Sequence, residues 1–403
     1  MSKIKLDLIL LAGGKGNRIS RFTKSTPKPL IKISNLNFIK HLLNYYSQFN
    51  FENIIILCGY KGKKIKKIYN NKTINLIPIK CLIEKKPLGT AGALSQLKKV
   101  CENDFLLINA DSFVKYNIKN FLDKNLKVTS IGKLLLTKNT NYFSNKKLSN
   151  IKLNINDNMV SFNGNLMNAG VYFFKNKILN TIKRKKYSLE DDLLPDLIHK
   201  KKVEGQLTKG FFIDIGTYIN LKKAKNNLSE ITKKPAAFLD RDGVLNYDTG
   251  SVHKLKNFKL KKNVTKAIKY LNKKGINVFI VTNQAGIARG YFTEKSFIYF
   301  QKQIKKLLYK KNCYINDLRY CPFHPEAKIY KYKKNSKFRK PGNLMIEDLK
   351  KNWDIDLSKS FMIGDKLSDK MAAEKSNLYF EYDQNNLLKQ VTKIYKKKIF
   401  NNY

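Results

Sequence analysis

Residues 238–246 read Phe-Leu-Asp-Arg-Asp-Gly-Val-Leu-Asn, which sets Asp240 and Asp242 two apart at the end of an apolar run, just before Gly243. Residues two apart on a strand share a face, but a turn beginning at the glycine can re-aim the second carboxylate. One carboxylate can then attack phosphorus while its neighbour handles the leaving-group proton. A second phosphate-handling segment lies far upstream, Leu10-Leu11-Ala12-Gly13-Gly14-Lys15-Gly16-Asn17-Arg18. A glycine turn after a strand lets backbone N–H groups approach phosphate closely, and the next helix adds its positive end. Pro27-Lys28-Pro29-Leu30 follows, holding a lysine between two prolines where it can be fixed against a phosphate. The chain reads as two phosphate chemistries in series.

The elements that must position these residues alternate. Strands are expected at Leu6–Ala12, Asn53–Cys58, Ile79–Glu84 and Phe105–Ala110, with helices around Leu36–Phe49, after Gly62 and from Thr90. That alternation predicts a parallel α/β sheet with ligands at the carboxyl ends of the strands. An irregular stretch runs to about residue 165, then a strand at Gly170–Phe174, a helix near Glu190–His199 and a strand at Phe211–Ile215. The helix Asn220–Lys234 ends before Pro235, a linker signal. A second α/β series follows: Ala236–Leu239, Val264–Lys274, Asn277–Thr282, Glu294–Lys311 and Phe361–Gly364. The expected domains are residues 1–230 and 235–383, with 384–403 a basic, solvated terminal helix.

The chain has 403 residues, 42% of them hydrophobic and 12% aromatic, which favours globular domains with their own cores over disorder. No apolar run approaches the roughly 18–20 residues of a membrane span, and the opening residues read as a first strand, not a signal peptide. Cys58, Cys81, Cys101, Cys313 and Cys321 are odd in number and scattered, which suggests the cytoplasm and no disulfide framework. The net charge of +50 comes almost wholly from lysine spread along the chain, so no specific nucleic-acid partner is expected. Such a field still attracts nucleotides and sugar phosphates. Arginine is scarce, and Arg18, Arg241, Arg289 and Arg339 all fall inside the motifs, where a planar fork suits phosphate.

The N-terminal motifs resemble the sugar-1-phosphate nucleotidyltransferases, whose loop is followed by a Pro-Lys-Pro; Asn17 departs from the family's usual threonine. The resemblance continues through Glu84-Lys85-Lys86-Pro87-Leu88-Gly89-Thr90-Ala91-Gly92, Asn109-Ala110-Asp111, Asn168-Ala169-Gly170, Glu190, and Asp214 in Phe212-Ile213-Asp214-Ile215-Gly216-Thr217. It implies that Gly13, Gly14, Gly16, Glu84, Gly89, Thr90 and Asn109 contact nucleotide, and that Asn168, Gly170 and Glu190 contact sugar. It further implies Mg²⁺ on Asp111 and Asp214, with Arg18 and Lys28 stabilising pyrophosphate and the transition state.

The second half resembles the haloacid-dehalogenase-like phosphatases through Asp240-Arg241-Asp242-Gly243, Val281-Thr282-Asn283-Gln284, Arg339-Lys340-Pro341 and Gly364-Asp365-Lys366-Leu367-Ser368-Asp369. The resemblance implies Asp240 as nucleophile and Asp242 as acid and base, with Thr282 and Lys340 steadying the phosphoryl oxygens. Asn283, Gln284 and Arg339 are then substrate contacts. Mg²⁺ would sit on Asp240, Asp365 and the backbone carbonyl of Asp242, with Asp369 behind them. The fuller strings are similar to the D-glycero-D-manno-heptose 1,7-bisphosphate phosphatases and the related histidinol phosphatases, which usually carry a structural zinc loop. Here Phe323, Ser336 and Phe338 stand where ligands should be, leaving Cys321 and His324. That falls short of a tetrahedral set, so no zinc is expected. Packing through Tyr330, Tyr332 and Phe338 is expected to hold the loop.

Together the halves imply removal of the 7-phosphate from heptose bisphosphate and guanylyl transfer from GTP to heptose 1-phosphate. Alternatives are a mannose-1-phosphate or other sugar nucleotidyltransferase joined to a histidinol-phosphate-like phosphatase, one half being catalytically dead, or a basic nucleic-acid-binding protein. The substrates are small molecules, no membrane is involved, and the oligomeric state is left open.

Overall fold

In the computed structural model the described residues are 5–123, 126–138, 150–183 and 186–400. The chain divides into two units: one formed by residues 1–42, 51–73 and 77–228, the other by 43–50, 74–76 and 229–403.

The first unit is built on a sheet of eight strands. Its centre is β1 (Leu6–Ala12), flanked in parallel by β2 (Ile54–Cys58) and, on the other side, by β4 (Asp104–Asn109); β3 (Ile77–Ile83) extends it beyond β2. The apolar runs of β1 and β2 are buried throughout their middles, as strands covered on both faces must be. Up to β4 the strands are parallel as expected, and beyond it the direction changes. Strand β7 (Met167–Phe174) runs antiparallel both to β4 and to β6 (Gly132–Thr137), and β8 (Val203–Thr208) then pairs in parallel with β6. An apolar run buries equally well in either direction, so side-chain pattern could not choose.

Two short strands leave the main sheet at its functional end. β5 (Ser112–Val114) and β9 (Phe212–Asp214) pair antiparallel with Ser112 opposite Asp214. The helix expected from Thr90 is broken into a turn at Gly89–Gly92 and a tighter 3-10 stretch at Ala93–Lys99. Helix α1 (Tyr218–Thr232) closes the unit before Pro235.

The second unit carries a five-stranded parallel sheet. Its order is β12 (Asp317–Cys321), β11 (Asn277–Asn283), β10 (Ala236–Leu239), β13 (Phe361–Gly364), β14 (Tyr379–Tyr382). The edge strands β12 and β14 were not anticipated, because charged and aromatic residues interrupt their short apolar runs. Helices α2 (Val264–Lys273), α3 (Glu294–Lys310), α4 (Leu367–Glu374) and α5 (Leu387–Ile394) accompany this sheet. The expectation of a solvated terminal helix is corrected. Leu387, Val391 and Ile394 lie one helical face apart and are buried in the core with Ile268 and Leu271. The lysines that made this segment look solvated occupy the opposite face. Among the described residues, no helix is long and apolar enough to cross a membrane.

Candidate active sites

In the first unit the glycine loop leaves β1 at Gly13, which packs so closely on Gly59 that a β-carbon at Gly59 would lie 2.7 Å from it. Nothing approaches within 4 Å of the position a Gly14 side chain would take, so its backbone is open to a ligand. Gly16 serves the turn instead, adopting φ 67° to start the short helix that carries Arg18. A cavity of about 270 Å³ opens beside this loop. Gly13, Gly14 and Lys28 line it with Glu84, Gly89 and Thr90, and Asn109, Asp111 and Glu190 close its far side. Six separate sequence segments therefore meet at one place.

Asp111 and Asp214 are brought side by side by the β5–β9 pair, and the Ile215 N–H donates to the Asp111 carbonyl at 2.9 Å. Lys28 Nζ lies 2.5 Å from Asp111 Oδ2. Gly216 sits where these groups converge: a β-carbon there would be 2.7 Å from Asp214 Oδ1, 3.2 Å from Arg18 Nη2 and 3.3 Å from Lys28 Nζ. Asp214 is aimed by two donors, the Gly216 N–H at 2.6 Å and Asn220 Nδ2 at 3.1 Å. Two carboxylates set between two cations suit a divalent ion beside phosphate.

The sugar-side residues are linked through a side chain that the sequence did not single out. Fully buried Tyr172 accepts from Asn168 Nδ2 at 2.7 Å, and Asn168 Oδ1 accepts from the Gly170 N–H at 3.0 Å. Gly170, at φ 73°, leaves room for Asn109, whose amide would lie 2.9 Å from a β-carbon at that position. Asn109 Nδ2 reaches Glu190 Oε1 at 3.5 Å. The Thr90 hydroxyl accepts from the Leu189 N–H at 2.7 Å and so holds the start of the Glu190 segment.

In the second unit the motifs meet at the carboxyl ends of β10, β11 and β13. Buried Asp240 accepts from the Arg241 N–H at 2.7 Å and pairs with Lys340 Nζ at 2.9 Å. Lys340 also pairs with Asp369 at 2.5 Å and donates to the Val281 carbonyl at 2.9 Å. Burial pushes the Asp240 carboxyl up to about 7, against the opposing pull of Lys340. For Lys340, burial alone would lower its ordinary value, and the two carboxylates more than reverse that. Asp240, Asp365 and Asp369 present ligand atoms within 4.8 Å of one another. Asp365 Oδ1 is buried without a hydrogen bond among the described residues, and Gly243 leaves the space its carboxylate fills, since a β-carbon there would lie 2.3 Å from Asp365 Oδ2. A bare, crowded set of carboxylate oxygens fits a divalent metal.

The Asp242 side chain is engaged by protein donors on both oxygens, while its expected metal role was through the backbone carbonyl. Arg241 forks onto both its oxygens at 3.1 and 2.6 Å, Asn246 Nδ2 donates at 3.0 Å and Gln284 Nε2 at 3.0 Å. That leaves only its backbone carbonyl for an ion. Gln284 is buried and bridges Asp242 to Thr282 Oγ1, also at 3.0 Å, so it organises the site from behind. Asn283 exchanges two 3.0 Å hydrogen bonds with the backbone of Lys340, fixing the lysine's entry into the pocket. Arg339 is half-buried and its buried Nη1 has no hydrogen-bond partner among the described residues.

Replacing Lys340 with Ala should destabilise the protein by about 3–5 kcal/mol, because Asp240 and Asp369 would be left buried without their countercharge. Urea unfolding monitored by tryptophan fluorescence at Trp353 reads this directly, and an unchanged midpoint would refute it.

Residues 8–231 match the nucleotidyl transferase family and residues 234–391 match the polynucleotide kinase 3 phosphatase family. The second half is 40% identical over 146 residues to D-glycero-β-D-manno-heptose-1,7-bisphosphate 7-phosphatase of Rhodopseudomonas palustris, covering 36% of this chain and 81% of the relative. It is 36% identical, also over 146 residues, to the α-anomer 7-phosphatase of Photorhabdus laumondii, covering 36% of this chain and 80% of the relative. Among solved structures, HddC from Yersinia pseudotuberculosis shares 26% identity, covering 55% of this chain and 99% of its own, with a TM-score of 0.46. The chain is thus a member of the nucleotidyl transferase family to which a haloacid-dehalogenase-like phosphatase domain is joined, one enzyme with two chemistries.

Proposed function

We propose that this chain performs two steps in the activation of a heptose: release of the 7-phosphate from D-glycero-D-manno-heptose 1,7-bisphosphate, then guanylyl transfer from GTP to the heptose 1-phosphate. The likeness of the second half to heptose-bisphosphate 7-phosphatases, over a site where Asp240, Lys340, Asp365 and Asp369 meet, carries this reading. The GTP assignment rests on the resemblance of the Glu84–Leu94 segment. The five free, scattered cysteines support a cytoplasmic location.

In the phosphatase, an Asp240 oxygen attacks the 7-phosphorus, the bond from phosphorus to the sugar oxygen breaks, and a proton from Asp242 passes to that oxygen. Asp242 then takes a proton from the water that attacks the aspartyl phosphate, releasing inorganic phosphate. Both oxygens of Asp242 are engaged as acceptors, so acid catalysis requires one of those contacts to open. Lys340 and Thr282 hold the phosphoryl oxygens, and Arg339 takes the phosphate that stays. Mg²⁺ on Asp240, Asp365 and the Asp242 carbonyl would neutralise phosphoryl charge.

In the transferase, an oxygen of heptose 1-phosphate attacks the α-phosphorus of GTP, and pyrophosphate leaves. The attacking group is already an anion, so the protein's task is orientation and charge. Lys28 and Arg18 face the phosphates, Glu84, Gly89 and Asn109 the nucleoside, and Asn168 and Glu190 the sugar. Mg²⁺ on Asp111 and Asp214 would neutralise the α-phosphate.

The test is to incubate the protein with α- or β-heptose 1,7-bisphosphate, Mg²⁺ and each nucleoside triphosphate, following products by mass spectrometry. GDP-heptose is expected from one anomer, and heptose 1-phosphate when GTP is omitted. Preferential use of ATP, CTP or UTP overturns the guanylyl assignment. Phosphate release from histidinol phosphate alone overturns the heptose assignment.

Metal binding at the phosphatase should weaken in acid. Because burial raises Asp240 to about 7, a proton occupies the carboxylate below that value and must be displaced by the ion. Apparent Mg²⁺ affinity should fall up to about tenfold per pH unit below that point and level off above it. The Mg²⁺-induced rise in Tm between pH 6 and 8 measures this; a pH-independent rise refutes it.

A further inference from the structure

The loop between β12 and Lys340 does not fit the zinc that its relatives' resemblance implies. Cys321 is buried with its thiol directed at the Phe323 carbonyl, 3.8 Å away. His324 Nδ1 accepts from the Glu326 N–H at 3.1 Å, and Ser336 Oγ accepts from the Phe338 N–H at 3.2 Å. Phe323 and Phe338, at the positions where ligands are expected, pack instead on the apolar core beneath β12. Among the described residues, the acidic trio at Asp240, Asp365 and Asp369 is the one group of three or more metal-binding side chains.

Another device fastens the loop. Glu294 opens α3, capped by Thr293, so its carboxylate is anchored in a helix's first turn. One oxygen accepts from Tyr320 Oη at 2.7 Å, at the end of β12, and the other from Tyr332 Oη at 2.9 Å, within the loop. Tyr332 is buried with Phe292 and Phe297 and lies against Phe323 with ring centroids 6.1 Å apart. The expected anchor Tyr330, by contrast, is 90% exposed. A few residues further on, the same loop carries Arg339, next in sequence to Lys340, whose backbone Asn283 holds.

We propose that the Glu294–Tyr320–Tyr332 clamp replaces a structural metal in this chain, and that it positions Arg339 for the phosphate that stays on the sugar. The second part rests on the proposed bisphosphate substrate. Two phenols on one carboxylate supply directional cross-links between a helix, a strand and a loop, the same service a metal performs without needing thiolates. Burial and the nearby positive charges of Arg339 and Arg289 hold His324 below its usual range.

The test uses the full chain with Tyr332→Phe, which keeps the ring and removes the hydroxyl, and Glu294→Gln. Exposed Lys328, Lys331, Lys333, Lys334 and Lys337 make the loop a trypsin substrate once it opens. Losing a hydrogen bond to a charged acceptor should speed cleavage in this loop about tenfold, while a zinc chelator leaves the native rate unchanged. Both variants should raise KM for the bisphosphate by about the same factor and leave kcat for p-nitrophenyl phosphate unaltered. Stoichiometric zinc in the purified protein, native cleavage rates in both variants, or faster cleavage with unchanged KM would each overturn the proposal. If no heptose bisphosphate is turned over, the functional assignment fails and the proteolysis still decides the clamp.

Discussion

Asp240→Asn will reduce phosphate release from the sugar bisphosphate by on the order of 10⁴-fold or more, while nucleotidyl transfer to a supplied sugar 1-phosphate proceeds at the native rate. The amide is nearly the size of the carboxylate but cannot form the aspartyl phosphate. The fold should survive it. Burial already disfavours the charged form of Asp240, and Lys340 keeps Asp369 as a partner 2.5 Å away. The variant should therefore unfold at a Tm close to the native one without Mg²⁺, and Mg²⁺ should raise that Tm less than in the native protein. Release within about tenfold of native would remove Asp240 as nucleophile and with it the aspartyl-phosphate mechanism. Equal loss of both activities would point instead to misfolding, which the Tm comparison separates.

The second large effect lies in the other unit. Asp214→Asn should lower nucleotidyl transfer by about 10³-fold with phosphatase activity intact, since the loss is of charge facing phosphate in a preorganised site. Gly216 offers a subtler test of the same geometry. Any β-carbon there meets Asp214 Oδ1 at 2.7 Å and Arg18 Nη2 at 3.2 Å, so Gly216→Ala must displace the carboxylate or the guanidinium. About 10²-fold slower transfer is expected, because small misplacements of positioned groups are that costly. Native rates from both variants would show that Asp214 is not part of the transfer machinery.

The candidate residues of both sites were named by motif strings and the family resemblance they carry, which is possible because phosphate chemistry demands few residue types. Glycines let backbone approach an anion, paired aspartates hold metal or attack phosphorus, and a lysine or arginine balances the charge. Those types sit in short contiguous strings at strand ends, and a strand end is legible from an apolar run stopped by glycine. What the strings could not show was how side chains share one another. Gln284 reads as a substrate contact and is in fact a buried strut between Asp242 and Thr282; Thr90 reads likewise and holds the Leu189 N–H. Tyr172 passes for ordinary core until Asn168 is found on its hydroxyl.

The sequence by itself indicated two α/β units, and its family resemblances named candidate carboxylates and cations at their strand ends. Composition, periodicity and turn residues are local, and local information suffices for these. Tertiary structure alone decided the antiparallel direction of β7, the burial of α5, and the use of Glu294 as a clamp. Each of these depends on partners distant in the chain: Tyr320 and Tyr332 lie 26 and 38 residues from the carboxylate they share. Hydrogen bonds are directional and short, so which donor reaches a given oxygen is settled only when the folded backbone has brought both within about 3 Å.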